Sequence, residues 1–382
     1  MIGVLRNCAV SFSDGRIAWV GPDSDAPPAD VEVDAHGWVG FPGLIDCHTH
    51  AVWAGSRASE FERRLRGESY TSILEAGGGI LSTVRATREA SDDTLIDLCS
   101  RRLGAFRRGG VCTVEVKGGY GLDADTECRM LRAARAAGQR AGVRVLTTFL
   151  GAHAIPAEFR HRRDAYVRDV IDVQLPRAAG LADFIDVYID RGAFSVDEGR
   201  AILQAGIAHG LKARVHAEQV AFTGAAKMAA ELGAVSADHL ERIDASGIAA
   251  MAKHGTVAVL LPGAMLYLGD APPPVAALRG AGIPLAVATD LNPGSSPVGD
   301  LWACATLACL TMGLSVDEAL HGITRNAALA LGRPDLGRVS VGATGDLALF
   351  PPIAGEPPEP AAFIQHFGGH AAALLVRDGQ LI

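Results

Sequence analysis

The chain has 382 residues and a formal net charge of −8, with 45 glycines and only 5% aromatic residues. This length provides a core of barrel size, and the many small residues suit helices packed closely on a parallel sheet. An acidic chain without a lysine- or arginine-rich block lacks the basic surface that binds nucleic acid, so we expect no nucleic-acid partner. It also lacks an export signal and an apolar run of about 18 residues, so we expect a cytoplasmic protein that does not bind membranes. Its seven cysteines include no C-x-x-C pair, which argues against a disulfide framework or a structural zinc knot.

Both ends of the chain have the pattern of short β-strands. Apolar runs predict strands at residues 4–5, 9–12, 17–20, 345–350 and 373–379. The Asp14-Gly15 pair is a hairpin signal, whereas the proline-rich stretch 351–360 predicts a loop. Neither end can bury a core by itself, so we predict that residues 1–40 and 339–382 form one small β-sandwich-like domain.

Between these ends, residues 41–338 alternate between helix and strand patterns. Residues such as Ser91 and Ser195 are typical of helix starts. Eight strands are predicted: the apolar run before residue 48, then 111–116, 144–149, 184–189, 212–216, 235–239, 257–261 and 285–290. This succession predicts an α/β fold, a (β/α)8 TIM-like barrel, whose functional groups lie at the carboxyl ends of the strands. The alternative, a doubly wound open sheet, would gather its chemistry at a single crevice.

Histidines and one aspartate follow several of these strands. His48 and His50 are two residues apart after the first strand, so strand alternation points both imidazoles the same way. His216 ends the fifth strand and Asp290 ends the eighth. Three neutral imidazoles and one carboxylate leave a +1 charge at a divalent ion, which acidifies a bound water and supplies hydroxide as a nucleophile. The alternative is that each is a core residue paired with backbone carbonyls, and this would have to hold four times.

Two further residues bear on the chemistry at such a metal. His239 ends a strand rather than a helix, and a histidine beside an activated water can orient it or stabilise an oxyanion. Asp290 can take a proton from the attacking water and pass it to a leaving nitrogen. Lys117 suggests the alternative of a carboxylated lysine between two metals. It follows the second strand, however, and the fourth strand ends in Asp190, so we favour a single metal.

Nine segments along the barrel region carry a resemblance to known proteins. They are residues 42–50, 54–57, 60–62, 76–80, 83–88, 115–122, 150–154, 215–219 and 288–296. The first resembles the opening signature of the amidohydrolase superfamily, and the others are similar to the imidazolonepropionase family within it. The shorter N-terminal region and the proline-rich C-terminal stretch depart from that family, and they concern the small β-domain rather than the barrel.

The resemblance implies hydrolysis of the cyclic amide of 4-imidazolone-5-propanoate to N-formimidoyl-L-glutamate, a step of histidine degradation. It implies one Zn²⁺ or Fe³⁺ per subunit at His48, His50, His216 and Asp290. It also implies a small-molecule substrate and a homodimer, for which the helical stretch 300–312 is a candidate interface. The implied substrate pocket comprises Arg57, Tyr120, His153, Gln219, Asn292, Gly294 and Ser295.

The residue types in this pocket suit the implied substrate. The Arg57 guanidinium can donate two parallel bonds to the propionate, and Tyr120 lies between two glycines that leave its hydroxyl room to reach a ligand. His153 and Gln219 can bond the ring nitrogens and the carbonyl, and together with Asp290 and His239 they are the candidate catalytic residues. Backbone amides in the turn at 292–296 could hold an anion. The glycines at 77–79 lack the context of a phosphate loop, so nucleotide binding is not predicted.

Other functions are compatible with part of this pattern. A different amidohydrolase, acting on another cyclic amide as a hydantoinase does or on an aminated heterocycle as a deaminase does, would use the same metal ligands. A non-catalytic metal-binding barrel would have the ligands without hydrolysis. Arg57 together with Tyr120 favours a small substrate that carries a carboxylate.

Overall fold

The computed structural model describes residues 2–68, 72 and 77–382, and this part of the chain contains 14 strands in three sheets. The strands are β1 Cys8–Ser13, β2 Arg16–Pro22, β3 Val39–Pro42, β4 Leu44–Asp46, β5 Val111–Lys117, β6 Arg144–Ala152, β7 Phe184–Ile189, β8 Lys212–Ala217, β9 Ser236–His239, β10 Val257–Leu260, β11 Leu285–Val287, β12 Leu347–Phe350, β13 Leu374–Arg377 and β14 Gln380–Leu381. Ala76, one of the residues that carry the family resemblance, lies outside the described residues.

The central sheet contains β4 to β11 in chain order, with every neighbouring pair parallel. Beyond β4 and β11, Thr49 forms a parallel bridge with Leu291, and the Asp290 amide donates to the His48 carbonyl at 3.0 Å. These contacts join the first strand to the last and nearly close the sheet. The predicted (β/α)8 barrel is therefore confirmed, and all eight predicted strands are present.

Helices follow the barrel strands, as a parallel sheet requires. Those described are α1 Ala58–Leu65, α2 Ile80–Glu89, α3 Asp92–Arg108, α4 Ala124–Ala141, α5 Arg163–Asp169, α6 Leu175–Ala178, α7 Val196–Ala208, α8 Ala225–Glu231, α9 Ala245–His254, α10 Pro262–Leu268, α11 Val275–Gly280, α12 Leu301–Met312, α13 Val316–Gly322, α14 Arg325–Ala330 and α15 Pro360–Gln365. A π-helical turn at Val170–Gln174 connects α5 to α6. The predicted capping box at Ser195 is present: its hydroxyl accepts from the Glu198 amide, and the Glu198 carboxylate accepts from the Ser195 amide.

The strands of the two chain ends form two small sheets. β1 and β2 form an antiparallel hairpin, whereas β3 pairs with β12 in a four-stranded sheet in the order β14, β13, β12, β3. Backbone bonds from Ile17 to Ala343 and from Gly345 to Gly15 connect the hairpin to the C-terminal segment. The predicted strand at 4–5 is wrong, because Val4 and Leu5 are exposed and have no strand partner. Strand β3 spans residue 40, where we placed the boundary between the small β-domain and the barrel. The domain boundaries at residues 40 and 338 stay a prediction.

Helix α12 is packed inside the chain. Only Cys309, Leu310 and Thr311 in this helix are not fully buried. Trp302 lies in an aromatic cluster with Phe41, Phe350 and Phe363, with ring centroids 5.1 to 5.8 Å apart. Packing within one chain explains most of the apolar character of residues 300–312, while Leu310 is 73% exposed. The candidate subunit interface at this helix stays a prediction. Of the described helices, none has the length and apolarity needed to cross a membrane.

Candidate active site and metal centre

Six side chains meet at the carboxyl ends of the barrel strands. His48 and His50 follow β4, His216 lies near the end of β8, His239 ends β9 and Asp290 follows β11. The sixth, His153, follows β6 and stacks on His50, with ring centroids 5.0 Å apart and ring planes 16° apart. All but His153 are at most 3% exposed.

Four of these side chains present their polar atoms to one another. Asp290 Oδ1 lies 3.4 Å from His48 Nε2 and 3.5 Å from His50 Nε2. His216 Nε2 lies 3.3 Å from His50 Nε2. Two overlapping groups have all their ligand atoms within 4.8 Å: His48, His50 and Asp290, and His48, His216 and His239. The four residues predicted as metal ligands are therefore brought together by strands that are far apart in sequence.

Carboxylates behind two histidines determine which ring nitrogen faces the site. Asp238 Oδ2 lies 2.6 Å from His48 Nδ1, and Asp186 Oδ1 lies 3.1 Å from His216 Nδ1. A neutral imidazole that donates from Nδ1 keeps a lone pair on Nε2, the atom that each ring turns toward the site.

Burial favours the neutral form of four histidines, His48, His50, His153 and His239. It lowers the pKa of His48 and of His50 well below the usual range, and it lowers the pKa of His153 and of His239 to about 3. Burial also raises the pKa of Asp290 well above that of an exposed aspartate. Neutral imidazoles are the form that binds metals, and a carboxylate with a raised pKa can accept a proton.

These observations fit a bound cation. His48 Nε2 is fully buried and has no hydrogen-bond partner among the described residues, although a buried imidazole nitrogen normally has one. The nitrogens of His50 and His216 face each other at 3.3 Å, where a shared positive charge would bind both lone pairs. The cluster is compatible with a metal site made of three nitrogens and one oxygen.

Lys117 contacts carboxylates rather than the metal-site histidines that a carboxylated, metal-bridging lysine would adjoin. Its Nζ lies 2.8 Å from Glu115 Oε1, 2.9 Å from Asp186 Oδ2 and 3.9 Å from Asp238 Oδ2. Burial and Arg214 oppose its charge, but these carboxylates raise its pKa overall. Lys117 is an ion-paired ammonium that anchors the aspartates behind the histidines.

Two of the site residues, His239 and Asp290, have strained backbone conformations. His239 has φ of 79° and Asp290 has φ of 51°, both in the left-handed region that side chains other than glycine seldom adopt. Each residue lies where a strand ends and the chain turns away. Such conformations persist where the surrounding structure enforces them, and they are common at functional sites.

The other predicted pocket residues surround the cluster. The Tyr120 ring lies 5.8 Å from the His50 ring and 5.5 Å from the His153 ring. His153 Nδ1 lies 3.0 Å from the Gly119 carbonyl, which leaves Nε2 as an acceptor. Gln219 is buried, and its Oε1 accepts from the Tyr188 hydroxyl at 3.2 Å.

Arg57 lies beside the loop that follows Asp290. Its Nη2 lies 2.6 Å from Glu60 Oε2. Its Nε is buried and has no hydrogen-bond partner among the described residues. An unpaired buried donor on a guanidinium is an open position for an acceptor, and a ligand carboxylate would fill it.

The turn after Asp290 is closed by its own side chains. The amides of Gly294 and Ser295 both donate to Asn292 Oδ1, at 2.8 and 2.7 Å. Asn292 Nδ2 in turn donates to the Asp290 carbonyl at 2.7 Å. Since these two amides are already paired, the expectation that they hold an anion does not fit this geometry. Asn292 instead ties the turn to Asp290.

Comparison with known proteins assigns the chain to a family. The model of the Amidohydrolase family matches residues 39–369. This chain belongs to the amidohydrolase family.

Two relatives of this amidohydrolase match along nearly their whole length. The protein named imidazolonepropionase from Cereibacter sphaeroides (strain KD131) is 47% identical, over 100% of this chain and 96% of the relative. That from Shewanella sp. (strain MR-4) is 45% identical, over 100% of this chain and 94% of the relative. A solved adenosine deaminase from Xanthomonas campestris with bound zinc has a TM-score of 0.75 at 18% identity, over 99% of this chain and 88% of that one. This structural likeness concerns the fold alone.

Sequence reasoning missed the charged layer beneath the amidohydrolase site. Asp186 and Asp238 hold the histidines, and Lys117 and Arg214 balance their charge. The signal was present, because an aspartate inside an otherwise apolar strand must have a partner when it is buried. The partner could not be read from the sequence, since His48 and Asp238 are 190 positions apart.

Proposed function

We propose that this amidohydrolase hydrolyses the cyclic amide of 4-imidazolone-5-propanoate to N-formimidoyl-L-glutamate, a reaction of histidine degradation. Relatives that are 45 to 47% identical over the full chain carry the name imidazolonepropionase. The observation that carries the proposal is a His/Asp cluster at one barrel end together with the buried Arg57 Nε, for which the described part of the chain provides no hydrogen-bond partner. A cation held by the cluster would polarise the carbonyl of the ring amide, and Arg57 would pair with the propionate.

One Zn²⁺ or Fe³⁺ per subunit would be held by His48, His50, His216 and Asp290. Such an ion acts as a Lewis acid that lowers the pKa of water and polarises a carbonyl. Asp186 and Asp238 fix the ring orientations of His216 and His48 in advance, which is how outer carboxylates strengthen metal binding.

The substrate would be bound by its two ends. Arg57 pairs with the propionate through its open donors. Tyr120, His153 and Gln219 surround the ring, and their hydroxyl, imidazole and amide groups match its nitrogens and carbonyl. Asn292 and Ser295 shape the loop between the two ends, and Gly294 contributes by lacking a side chain.

The chain's own residues would move the proton. Asp290 would accept a proton from the attacking water, because its carboxylate lies beside the ring nitrogens that face the site, 3.4 Å from His48 Nε2 and 3.5 Å from His50 Nε2. As the C–N bond of the ring breaks, Asp290 returns that proton to the departing nitrogen. His239, which is neutral because its pKa is about 3, donates a hydrogen bond to the carbonyl oxygen as charge develops on it.

A direct assay tests this proposal. The purified protein, loaded in turn with zinc and with iron, is mixed with imidazolonepropanoate, dihydropyrimidines or guanine, and ultraviolet absorbance reports loss of each ring. We expect hydrolysis of imidazolonepropanoate only. Turnover of another ring would instead support a hydantoinase or deaminase, and full metal loading without any turnover would support a binding protein.

The resemblance also implies a homodimer in the cytoplasm, which we include in the proposal. Sedimentation equilibrium of the loaded protein measures the assembly, and a monomer at micromolar concentration would contradict it.

A further inference from the structure

We propose that Glu60 positions Arg57 for the substrate carboxylate and thereby determines the preference for substrates with a propionate group. This inference deepens the proposed function and rests on it. Glu60 is a positioning residue rather than a catalytic one, because it would act on the substrate through Arg57.

Glu60 is buried on α1, which is unusual for a glutamate and requires partners. Its Oε2 lies 2.6 Å from Arg57 Nη2. The amide of Gly79 lies 3.2 Å from both carboxylate oxygens, and Ser82 donates to Oε1 at 3.1 Å. The carboxylate therefore connects Arg57 to the start of helix α2.

The remaining donors of Arg57 are left for a ligand. A guanidinium has five N–H groups in a fixed plane, and Glu60 engages the Nη2 side. The buried Nε has no partner among the described residues. On the other side, a Cβ built on Gly294 would lie 3.1 Å from Arg57 Nη1, closer than ordinary contact. Glu60 and the bare backbone of Gly294 thus bracket the guanidinium and fix its direction.

Helix α2 contacts loops on both sides of the proposed substrate pocket. At its start, Gly79 has φ of 77° and provides an amide for Glu60. Near its end, the Thr87 hydroxyl accepts from the Ala54 amide at 3.1 Å, and Arg88 Nε donates to the Gly121 carbonyl at 2.7 Å. The helix therefore links the Arg57 loop to the Tyr120 loop. This assigns a role to Gly79, the last glycine of the run at 77–79.

The test compares Glu60→Gln with Glu62→Gln on the same helix. Glu62 is exposed and pairs with Arg66 across the helix surface, so it is a matched control. We expect Glu60→Gln to raise KM for imidazolonepropanoate about tenfold or more, since a charge-assisted bond is lost, while kcat changes less than about threefold. Glu62→Gln should keep both constants.

Inhibitor binding separates positioning from a general structural defect. Calorimetry of the loaded enzyme with imidazole-4-propanoate and with its neutral amide measures the carboxylate preference. We expect Glu60→Gln to weaken binding of the acid about tenfold and to leave that of the amide unchanged. Equal weakening of both ligands, or no change in either, would overturn the proposal.

A second variant keeps the proposal testable if Glu60→Gln does not fold. Gly294→Ala crowds Arg57 from the opposite side and should likewise weaken the acid more than the amide. If the wild-type enzyme does not hydrolyse imidazolonepropanoate, the proposed function fails. The carboxylate preference measured by calorimetry still decides the role of Glu60 in that case.

Discussion

Two site histidines, His48 and His216, have their ring directions set by aspartates on other strands of the barrel. His48 rests on Asp238 and His216 rests on Asp186, and Lys117 contacts both aspartates. Arg214 adds a second buried cation, with Nη2 3.0 Å from Asp238. Buried charges are tolerated when they are paired in this way, whereas loss of one partner leaves a charge uncompensated. Among the described residues of this layer, His48 Nε2, which faces the site, and Arg214 Nε and Nη1 are buried without a hydrogen-bond partner.

At the residue scale, Asp290→Asn tests the proton path. An amide can still contact a metal through its oxygen but cannot take up the proton, so we expect kcat to fall about 10²- to 10⁴-fold. Elemental analysis should show that the variant keeps its metal. Asp172→Asn, at an exposed position, is the control and should retain wild-type activity. A near-normal kcat in Asp290→Asn would remove Asp290 from the proton path.

At the element scale, small residues let the helices lie close to the barrel strands. A Cβ built on Gly206 of α7 would lie 2.4 Å from Ile185 Cδ1, and one on Gly199 would lie 2.2 Å from Ile189 Cδ1. Both isoleucines belong to β7, which also carries Asp186. Close packing of α7 therefore supports the strand that holds His216 in place.

Two glycine substitutions separate this packing role from helix propensity. Gly206→Ala should destabilise the fold by about 1–3 kcal/mol, because the methyl group has no space. Gly104→Ala on α3 has its nearest neighbour at 3.8 Å, so it should stabilise the fold by up to about 1 kcal/mol. Denaturant titration of both variants, with equal metal loading, measures the free energies of unfolding. Shifts of the same sign would contradict the packing argument.

At the scale of the whole molecule, the cluster of His48, His50, His216 and Asp290 lies where the first barrel strand meets the last, the pair of strands with no ladder of backbone hydrogen bonds among the described residues. β4 and β11 are linked by a bridge and backbone bonds just beyond their ends, and by the Asp46 carboxylate, which accepts from the Thr289 amide at 3.3 Å and from its hydroxyl at 2.6 Å. His48, His50 and Asp290 lie at that seam. A cation bound there would fasten the first strand to the last. Because the unfolded chain lacks the preformed site, metal binding should favour the folded state.

Removal of the metal should therefore lower the melting temperature. With metal in about thousandfold excess over Kd, the linkage contributes about 4 kcal/mol, which a chelator abolishes and added zinc restores. Scanning calorimetry with and without chelator measures the change. His216→Ala should show little response to chelator, and a wild-type transition that ignores the chelator would contradict a structural role for the metal.

The sequence by itself determined the barrel, its strands and the residues that meet at its end. Alternation of apolar runs and helix patterns depends on residues close together in the chain, so eight strands and the cap at Ser195 were readable. Positions at strand ends predicted the convergence of His48, His50, His216 and Asp290, because a parallel barrel gathers all its carboxyl ends at one face.

Only the tertiary structure decided which groups become partners across that face. Asp238 behind His48, Glu60 beside Arg57, and the split of the chain ends into two sheets depend on how strands and helices close over long stretches of sequence. A charged residue inside an apolar strand indicates that a partner is required, because burying an unpaired charge is costly. The identity of that partner depends on which side chains the fold brings close to it. The periodicity of apolar residues depends on neighbours along the chain and so predicts helices and strands. Charge pairs in the core join residues that become neighbours only when the barrel closes, so the sequence alone does not predict them.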